Sequence, residues 1–153
     1  MSSVAIPVVA AELDQFAQIV ALLAQAGLPT SDLTPASVDR FMVVVQGREV
    51  VGAVALERYG DVGLLRSLVV APAQCREGVG RTLVRAIEDG AKAQGIDSLV
   101  LLTETAQEFF RELGFEVGKR SDAPAAVRSS SEFALICPTS AVYMQKHLHE
   151  RPR

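Results

Sequence analysis

Apolar residues in the first forty positions form a strand-like run and then a helical stripe. The run Val4–Val9 predicts a short first strand. The stripe that follows predicts a helix stopped by Gly27, and its apolar members are Leu13, Phe16, Ile19, Val20 and Leu23. Pro35 fits the first turn of a further short helix, and Thr34 immediately before it is a suitable cap.

The middle of the chain has the pattern of three strands and a long helix. The segment "FMVVVQGREVVGAVALERYGDVGLLRSLVV" contains three apolar runs separated by "QGRE" and "YGDVG", which predicts consecutive antiparallel strands. A glycine-containing turn and a helix from about Gly78 to Gln94 follow. Gly95 caps this helix. Its single apolar stripe consists of Val79, Leu83, Ile87 and Ala91.

The last third of the chain alternates strands and helices. "SLVLLT" is nearly continuously apolar, which is typical of a strand covered on both faces. "TAQEFFRELG" predicts a helix ending at Gly114, "FEVG" a strand, and Pro124–Ser130 a short helix. "AVYMQKHL" alternates and is expected to close the sheet. The complete order predicts an α/β fold with a mixed, twisted sheet of about seven strands flanked by about four helices, in one domain over residues 1–150.

Composition argues against several classes of function. A net charge of −3 without a block of Lys and Arg gives no footprint for nucleic acid, and the apolar runs are far shorter than the ~20 residues of a membrane span. The N-terminus lacks the basic segment of a signal peptide, so a cytoplasmic location is expected. Cys75 and Cys137 stand far apart, and His147 and His149 lie in the terminal "HLHERPR", so no metal site is expected.

The turn "CREGVG" before the long helix is the first candidate binding feature. Gly78 and Gly80 let the backbone approach a ligand closely, and the N–H groups at the start of a helix favour an anion. The same glycines are also compatible with a tight turn from strand to helix and no ligand at all. Taken alone, the turn leaves both interpretations open.

The succession of strand, turn, long helix, "SLVLLT" and "AQEFFRELGF" resembles the GNAT (GCN5-related N-acetyltransferase) superfamily over essentially the whole chain. The phosphate loop of that superfamily, Gln/Arg-x-x-Gly-x-Gly/Ala, falls on "CREGVG", with Gly78 and Gly80 in the glycine positions. The resemblance implies the GNAT acyl-CoA N-acyltransferase fold, acetyl-CoA as co-substrate and a small-molecule acceptor. GNAT proteins often dimerise, so a homodimer is a further expectation.

Within the superfamily, four segments are similar to the second N-acetyltransferase type found with arsenic-resistance genes. They are "LPTSDL", "LLTETAQEFFRELGF", "PAAVRSSSEF" and "CPTSAVYM". The chain is more distantly similar to the acetyltransferase domain of N-acetylglutamate synthase, which has a related strand and helix and an arginine-containing stretch ahead of its final strand. These likenesses imply an amino acid-like acceptor and a link to arsenic resistance.

The resemblance assigns the coenzyme site to separate parts of the chain. The segment that would hold the pyrophosphate consists of Cys75, Arg76, Glu77, Gly78, Val79, Gly80 and Arg81. The residues whose backbone would pair with the pantetheine arm, and supply an N–H to the acetyl oxygen, are Leu68, Val69 and Val70. Thr103 and Phe110 occupy further coenzyme positions. Cys75 and Arg76 depart from the usual loop, which has Gln or Arg and often glycine at these places.

The usual catalytic groups of the superfamily are absent. Phe110 stands where a tyrosine acid is common, and Thr103 replaces a common asparagine. Tyr143 in the last strand is the substitute acid, or else only a packed strand aromatic, whereas Tyr59 is expected in a turn. Glu57 after "GAVAL" is the candidate base, or else a solvated residue at a strand end.

The acceptor pocket is expected to be lined by "LPTSDL" and "PAAVRSSSEFALICPTS". Arg66 lies within an apolar strand and must face solvent, a partner or an anion, and it is a candidate to help Arg128 bind a carboxylate of the acceptor. Arg128 and Ser140 approximately match the carboxylate-binding positions of the glutamate synthase likeness, and the arginine fork suits a carboxylate. Asp32 is a candidate partner for an ammonium group. The alternatives are a surface arginine for Arg128 and a turn or cap residue for Asp32.

Three classes of function follow from these features. The leading hypothesis is an acetyl-CoA-dependent N-acetyltransferase acting on a small amino acid-like acceptor. A non-catalytic acyl-CoA-binding GNAT protein with a regulatory role is the alternative, because Phe110 and Cys75 depart from the family pattern. A nucleotide-phosphate binder is the third, although the chain lacks both "GK[ST]" and the full GxGxxG pattern.

Overall fold

The computed structural model describes residues 6–72, 78–130, 133 and 141–148, and it confirms the predicted mixed α/β sheet. The strands are β1 (Val9–Ala10), β2 (Phe41–Gln46), β3 (Glu49–Tyr59), β4 (Val62–Val70), β5 (Ser98–Thr103), β6 (Glu116–Gly118) and β7 (Val142–His147). The α-helices in the described residues are α1 (Phe16–Gln25), α2 (Val79–Ala93), α3 (Gln107–Glu112) and α4 (Ala125–Arg128). The seven strands follow the order β1-β2-β3-β4-β5-β7-β6. None of these helices combines the length and apolar character that crossing a bilayer requires.

Within the described residues, the N-terminal strand begins later than predicted; Val4 and Ala5, the first two residues of the predicted strand, lie outside them. Strand β1 contains only Val9 and Ala10, which pair antiparallel with Val43 and Met42 of β2. Pro7 lies within the expected strand and has no N–H to donate to a ladder, so pairing begins after it. The helical stripe that follows is also narrower than predicted, because Leu13 is 65% exposed.

Strand β7 lies inside the sheet, between β5 and β6, although the last strand in the chain is expected to close the sheet. All six residues of β5 pair antiparallel with β7, and β6 pairs antiparallel with its other side. Because β5 and β6 are therefore parallel to each other, the connection through α3 is a crossover. This crossover leaves the position between them for the later strand.

Contacts within the chain define two compact units, and β3 and β4 each continue from one unit into the other. The first unit combines the chain up to Ala55 with Ser67–Ile87. Its core consists of Ile19, Leu23, Phe41, Val43, Val50, Ala53, Ala55 and Val69. A Cβ atom at Gly52 would lie 2.9 Å from Val79 Cγ1 and 3.0 Å from Leu83 Cδ1, so this glycine lets α2 pack closely on β3. The predicted stripe of α2 is confirmed as buried.

The second unit combines Leu56–Arg66 with the chain from Glu88 onward. Its main cluster consists of Leu64, Val100, Ala123, Val127, Phe133 and Tyr143. Within this unit, β4 pairs in parallel with β5 from Val62 and Ser98 to Leu64 and Val100. Lys146 of β7 donates hydrogen bonds from Nζ to Glu88 Oε2 at 2.9 Å and to the Leu113 carbonyl at 2.7 Å. These bonds tie α2 and the end of α3 to the sheet of this unit.

Two glycines of the second unit offer a matched test of its packing. A Cβ atom at Gly63 would lie 2.7 Å from Leu56 Cδ1 and 2.9 Å from Leu99 Cδ2, whereas one at Gly90 of α2 would meet no atom within 4 Å. Gly63→Ala should therefore lower the free energy of unfolding by about 1–3 kcal/mol through overpacking. Gly90→Ala should raise it by up to about 1 kcal/mol through helix propensity. Urea denaturation measures both, and equal effects would contradict the close packing at Gly63.

Candidate active site

Gly78, the residue immediately before α2, has a left-handed backbone conformation. Its φ is +77°, which favours glycine, and no atom of the described residues lies within 4 Å of the position that a Cβ atom would occupy. In the first turn of the helix, the Thr82 N–H donates a hydrogen bond to the Gly78 carbonyl at 3.1 Å. The N–H groups of Val79 and Gly80 precede this bond, and they have no acceptor among the described residues. An anion would satisfy them.

Several predicted site residues lie outside the part of the chain that the structure describes. They are Cys75, Arg76, Glu77 and Ser140. Their assigned roles stay predictions. Arg81, which follows in the first turn of α2, is described and exposed.

Strand β4 has an unusual backbone conformation at Ser67. Its φ of +60° is the only positive value at a non-glycine residue within the described ranges. A left-handed conformation costs an L-residue roughly 1–2 kcal/mol, and such strain is concentrated at functional sites. The residues that follow it are the predicted pantetheine partners, of which Val69 is buried and Leu68 and Val70 are half-buried. This kink could not be predicted from the sequence, because serine has no preference for the left-handed region.

A buried ion pair joins Glu57 of β3 to Arg66 of β4. Arg66 Nη1 donates to Glu57 Oε2 at 3.3 Å, and the Arg66 side chain is completely buried. Tyr59 donates its hydroxyl proton to Glu57 Oε1 at 2.8 Å. The structure therefore brings together Glu57, Tyr59 and Arg66, which the sequence analysis considered separately.

Two expectations from the sequence are corrected by this arrangement. Glu57 is neither solvated nor at a strand end, since its side chain is 13% exposed within β3. Tyr59 is the last residue of β3 and does not lie in a turn. Arg66 faces a partner, one of the three surroundings expected for it, and its side chain has no exposed surface; its assigned role in acceptor binding stays a prediction.

Tyr143 lies in β7 with its side chain buried in the second unit. Its ring packs edge-on against Phe133 at 6.0 Å between centroids, and its hydroxyl donates to Gln145 Oε1 at 3.4 Å. Burial, helped by the negative charge of Asp122, raises the pKa of Tyr143 from 10.0 to about 12. The phenol therefore keeps its proton throughout the neutral range, and it is better suited to donating a hydrogen bond than to releasing a proton.

This shift makes a prediction about stability in alkali. The phenol of Tyr143 ionises near pH 10.0 in the unfolded chain but only near pH 12 in the folded protein, because its folded-state pKa is raised to about 12. The stability linked to this shift is therefore fully present below pH 10 and is lost as the pH rises toward about 12. Urea unfolding over this range should show a smaller loss for Tyr143→Phe than for the unmodified protein. Parallel losses in the two proteins would contradict the raised pKa.

The remaining acceptor candidates differ in their surroundings. Arg128 is the last residue of α4 and is exposed, while its neighbour Val127 anchors the helix in the core. Within the described ranges, the Arg128 guanidinium makes no hydrogen bond or ion pair. Asp32 lies half-buried in the turn before the 3₁₀ helix Pro35–Arg40. The described residues contain no cluster of three or more His, Cys, Asp or Glu side chains that could hold a metal ion.

Residues 37–117, just over half of the chain, match the family model "Acetyltransferase (GNAT) domain". The chain belongs to the GNAT family. The matched range contains the predicted phosphate loop, the kink at Ser67 and the Glu57–Arg66 pair.

Curated relatives and solved structures agree with this assignment. The GNAT chain is 35% identical over 91 residues to an amino-acid acetyltransferase of Pseudomonas fluorescens, an alignment that covers 58% of this chain and 21% of the relative. It therefore spans about a fifth of the length of that curated relative. The N-acetylglutamate synthase of Neisseria gonorrhoeae, solved with coenzyme A and N-acetyl-glutamate, has a similar fold, with a TM-score of 0.84 and 22% identity over 97% of this chain and 36% of the other. Rv2747 of Mycobacterium tuberculosis, solved with CoA, also has a similar fold. The TM-score is 0.77 and the sequence identity is 24%, over 92% of this chain and 98% of the other.

Two positions of this GNAT domain that depart from the superfamily pattern have structural partners. Thr103 Oγ1 accepts a hydrogen bond from the Ala106 N–H at 3.0 Å and so fixes the turn into α3. Phe110 is 4% exposed, and its ring centroid lies 5.1 Å from that of Phe109 and 5.4 Å from that of Phe115. Both substitutions therefore fit the core around α3.

Proposed function

We propose that this GNAT domain transfers the acetyl group of acetyl-CoA to the amine of a small, amino acid-like acceptor. The observation that carries the proposal is the left-handed Gly78 before α2, with two helix-start N–H groups that lack an acceptor among the described residues. An anion bound there would satisfy both groups and would interact favourably with the helix dipole. The amino-acid acetyltransferases that share about a third of their aligned residues with the chain support the class of acceptor.

The coenzyme would be held mainly by backbone. The pyrophosphate would accept hydrogen bonds at the start of α2, with Arg81 and the loop Cys75–Glu77 beside it. The pantetheine arm would run along Leu68–Val70, where a backbone N–H would stabilise the oxygen of the thioester carbonyl. Thr103 at the end of β5 and Phe110 in α3 would support this part of the site. These groups fit a coenzyme that is anionic at one end and amide-rich at the other.

The chemistry asks for little covalent help from the protein. The neutral amine attacks the thioester carbon, a C–N bond forms and the C–S bond breaks. The amine nitrogen loses one proton, and the coenzyme leaves as a thiolate that takes up a proton in its place. Tyr143 would donate a hydrogen bond and not its proton, because its pKa is raised to about 12. Glu57 already accepts two hydrogen bonds and is a poor candidate for a free base. Catalysis would therefore rest on orientation and on the carbonyl-binding N–H.

The acceptor would be bound through a carboxylate. Arg128 is the candidate ligand because its guanidinium is exposed and has no partner among the described residues. Ser140 would assist it, and Asp32 would interact with the ammonium or amine end of the acceptor. A bidentate pair between arginine and carboxylate fixes orientation as well as adding affinity.

Thiol release from acetyl-CoA, followed over a panel of free amino acids, amino-acid amides and polyamines, tests the proposal. Turnover with free amino acids is the expected result. Binding of coenzyme A without turnover on any amine would contradict the proposed enzyme and favour a non-catalytic acyl-CoA-binding protein. Thermal protection by ATP but not by acetyl-CoA would support a nucleotide-phosphate binder instead.

Other features belong to the same proposal. The resemblance of "LPTSDL" and "CPTSAVYM" to the arsenic-operon type supports a role in arsenic resistance, and growth of a deletion strain on arsenite tests it. A single domain over residues 1–150, a cytoplasmic location and a homodimer stay predictions. Size-exclusion chromatography with light scattering measures the last of these.

A further inference from the structure

We infer that Arg66 is a positioning residue for acetyl transfer, which acts through Glu57 and Tyr59 to hold strand β4 just before its kink at Ser67. The inference rests on the proposed function. It gives Arg66 a role that differs from the predicted binding of the acceptor. Its consequence is that the backbone N–H groups after Ser67 are aimed at the thioester by a buried ion pair.

Burial is the first part of the argument. Among the buried residues that the structure describes, the polar or charged ones are Ser37, Arg66 and Ser130, so Arg66 is the only charged one. Its side chain has no exposed surface at all. A buried guanidinium is costly unless it is paired and hydrogen-bonded, and such a pair is retained most often for the arrangement it specifies.

The partner of Arg66 is itself held from both sides. Glu57 Oε2 accepts from Arg66 at 3.3 Å, and Glu57 Oε1 accepts from the Tyr59 hydroxyl at 2.8 Å. Glu57 and Tyr59 are two residues apart in β3, so their side chains share one face of the sheet. The carboxylate is therefore fixed in place, and the guanidinium is fixed with it.

The kink follows immediately in the chain. Ser67 has φ +60°, a conformation that persists in a non-glycine residue only where the surroundings over-determine it. Arg66 is the residue before it, and its side chain is anchored on β3. The anchor fixes the direction of β4 at the point where the strained residue begins, and so it fixes the orientation of the N–H groups of Leu68–Val70.

A positioning role and an acceptor-binding role predict different kinetics. If Arg66 bound the acceptor carboxylate, disturbing it would raise the acceptor KM and would affect free acids more than amides. If the Glu57–Arg66 pair aims the carbonyl-binding N–H, disturbing it lowers kcat equally for both kinds of acceptor. It also lowers the slow hydrolysis of acetyl-CoA measured without any acceptor.

The test is the isosteric variant Glu57→Gln, with Glu108→Gln as the matched control on the surface of α3, where the side chain is 79% exposed. We expect Glu57→Gln to lower kcat by about tenfold, since misplacement of about an ångström costs up to ~100-fold. The KM values for acetyl-CoA and for acceptors should not change. The fall in kcat should be the same with amino acids as with their amides. Glu108→Gln should behave as the unmodified protein.

Tyr59→Phe is the second variant, because it removes one hydroxyl and keeps the ion pair. Tyr59→Phe should lower kcat by less than Glu57→Gln does, again without a change in KM. If Glu57→Gln fails to fold, the result for Tyr59→Phe alone decides between the positioning role and the acceptor-binding role. An increased acceptor KM restricted to free acids, or an unchanged kcat in both variants, would overturn the inference. If the unmodified protein binds acetyl-CoA but acetylates no acceptor, the proposed function fails first, and the inference falls with it.

Discussion

Gly78→Asp is expected to weaken coenzyme A binding by about a hundredfold, whereas Gly78→Asn should retain most of the affinity. Both side chains tolerate the left-handed conformation that Gly78 adopts and both are good helix caps, so the fold should be preserved in each. The two variants differ in charge and hardly in size. A like charge about 4 Å from a phosphate near a protein surface costs up to ~4 kcal/mol, and solvent screening reduces this figure.

Isothermal titration with coenzyme A measures the two affinities, and circular dichroism checks the fold. No atom of the described residues lies within 4 Å of the Cβ position at Gly78, so a clash with these residues cannot mimic the effect of charge. Equal affinities in the aspartate and asparagine variants would refute an anion site at this turn. The glycine would then serve only the turn from strand to helix.

Arg128→Ala is expected to lower kcat/KM for free amino acids by ten- to a hundredfold. A charge-assisted hydrogen bond contributes roughly 1.5–3 kcal/mol, and the exposed guanidinium makes none within the described residues without a ligand. The fall in kcat/KM should be much smaller with amino-acid amides as acceptors. Affinity for acetyl-CoA should be unchanged, because the pyrophosphate site is built from backbone elsewhere.

Arg111→Ala provides the control for this prediction. Arg111 is also an exposed arginine near the end of a short helix, and its pair with Glu108 is exposed, with side chains 52% and 79% accessible. Such pairs contribute little, so the control should behave as the unmodified protein. If polyamines or amides prove better acceptors than free acids, Arg128 does not bind a carboxylate. Asp32 would then be the better candidate for holding a cationic acceptor.

Local patterns in the sequence were sufficient to predict most elements of the fold. The stripe of α2 recurs every four residues, and each of its members is buried. Gly27, Gly95 and Gly114 follow the helices that they were expected to end, and all three have positive φ. These features depend on residues close together in the chain, which a periodic pattern records directly.

Features that depend on distant residues could not be predicted in the same way. The place of β7 between β5 and β6 is decided by the crossover through α3, which no periodicity reveals. The burial of Arg66 depends on Glu57, nine positions earlier, and an arginine in an apolar strand is equally compatible with a ligand. Ser67 adopts a conformation that its own side chain does not favour.

The insertion of β7 also imposes an order of events during synthesis. β5 and β6 leave the ribosome before residues 142–147, and neither can complete its ladder until β7 arrives. Pairing between strands distant in the chain is slow, because the intervening segment must first be closed into a loop. During that interval, the strand edges that β7 later covers are open to neighbouring chains. The arrival of β7 thus covers one edge of β5 and one edge of β6 in the newly made molecule.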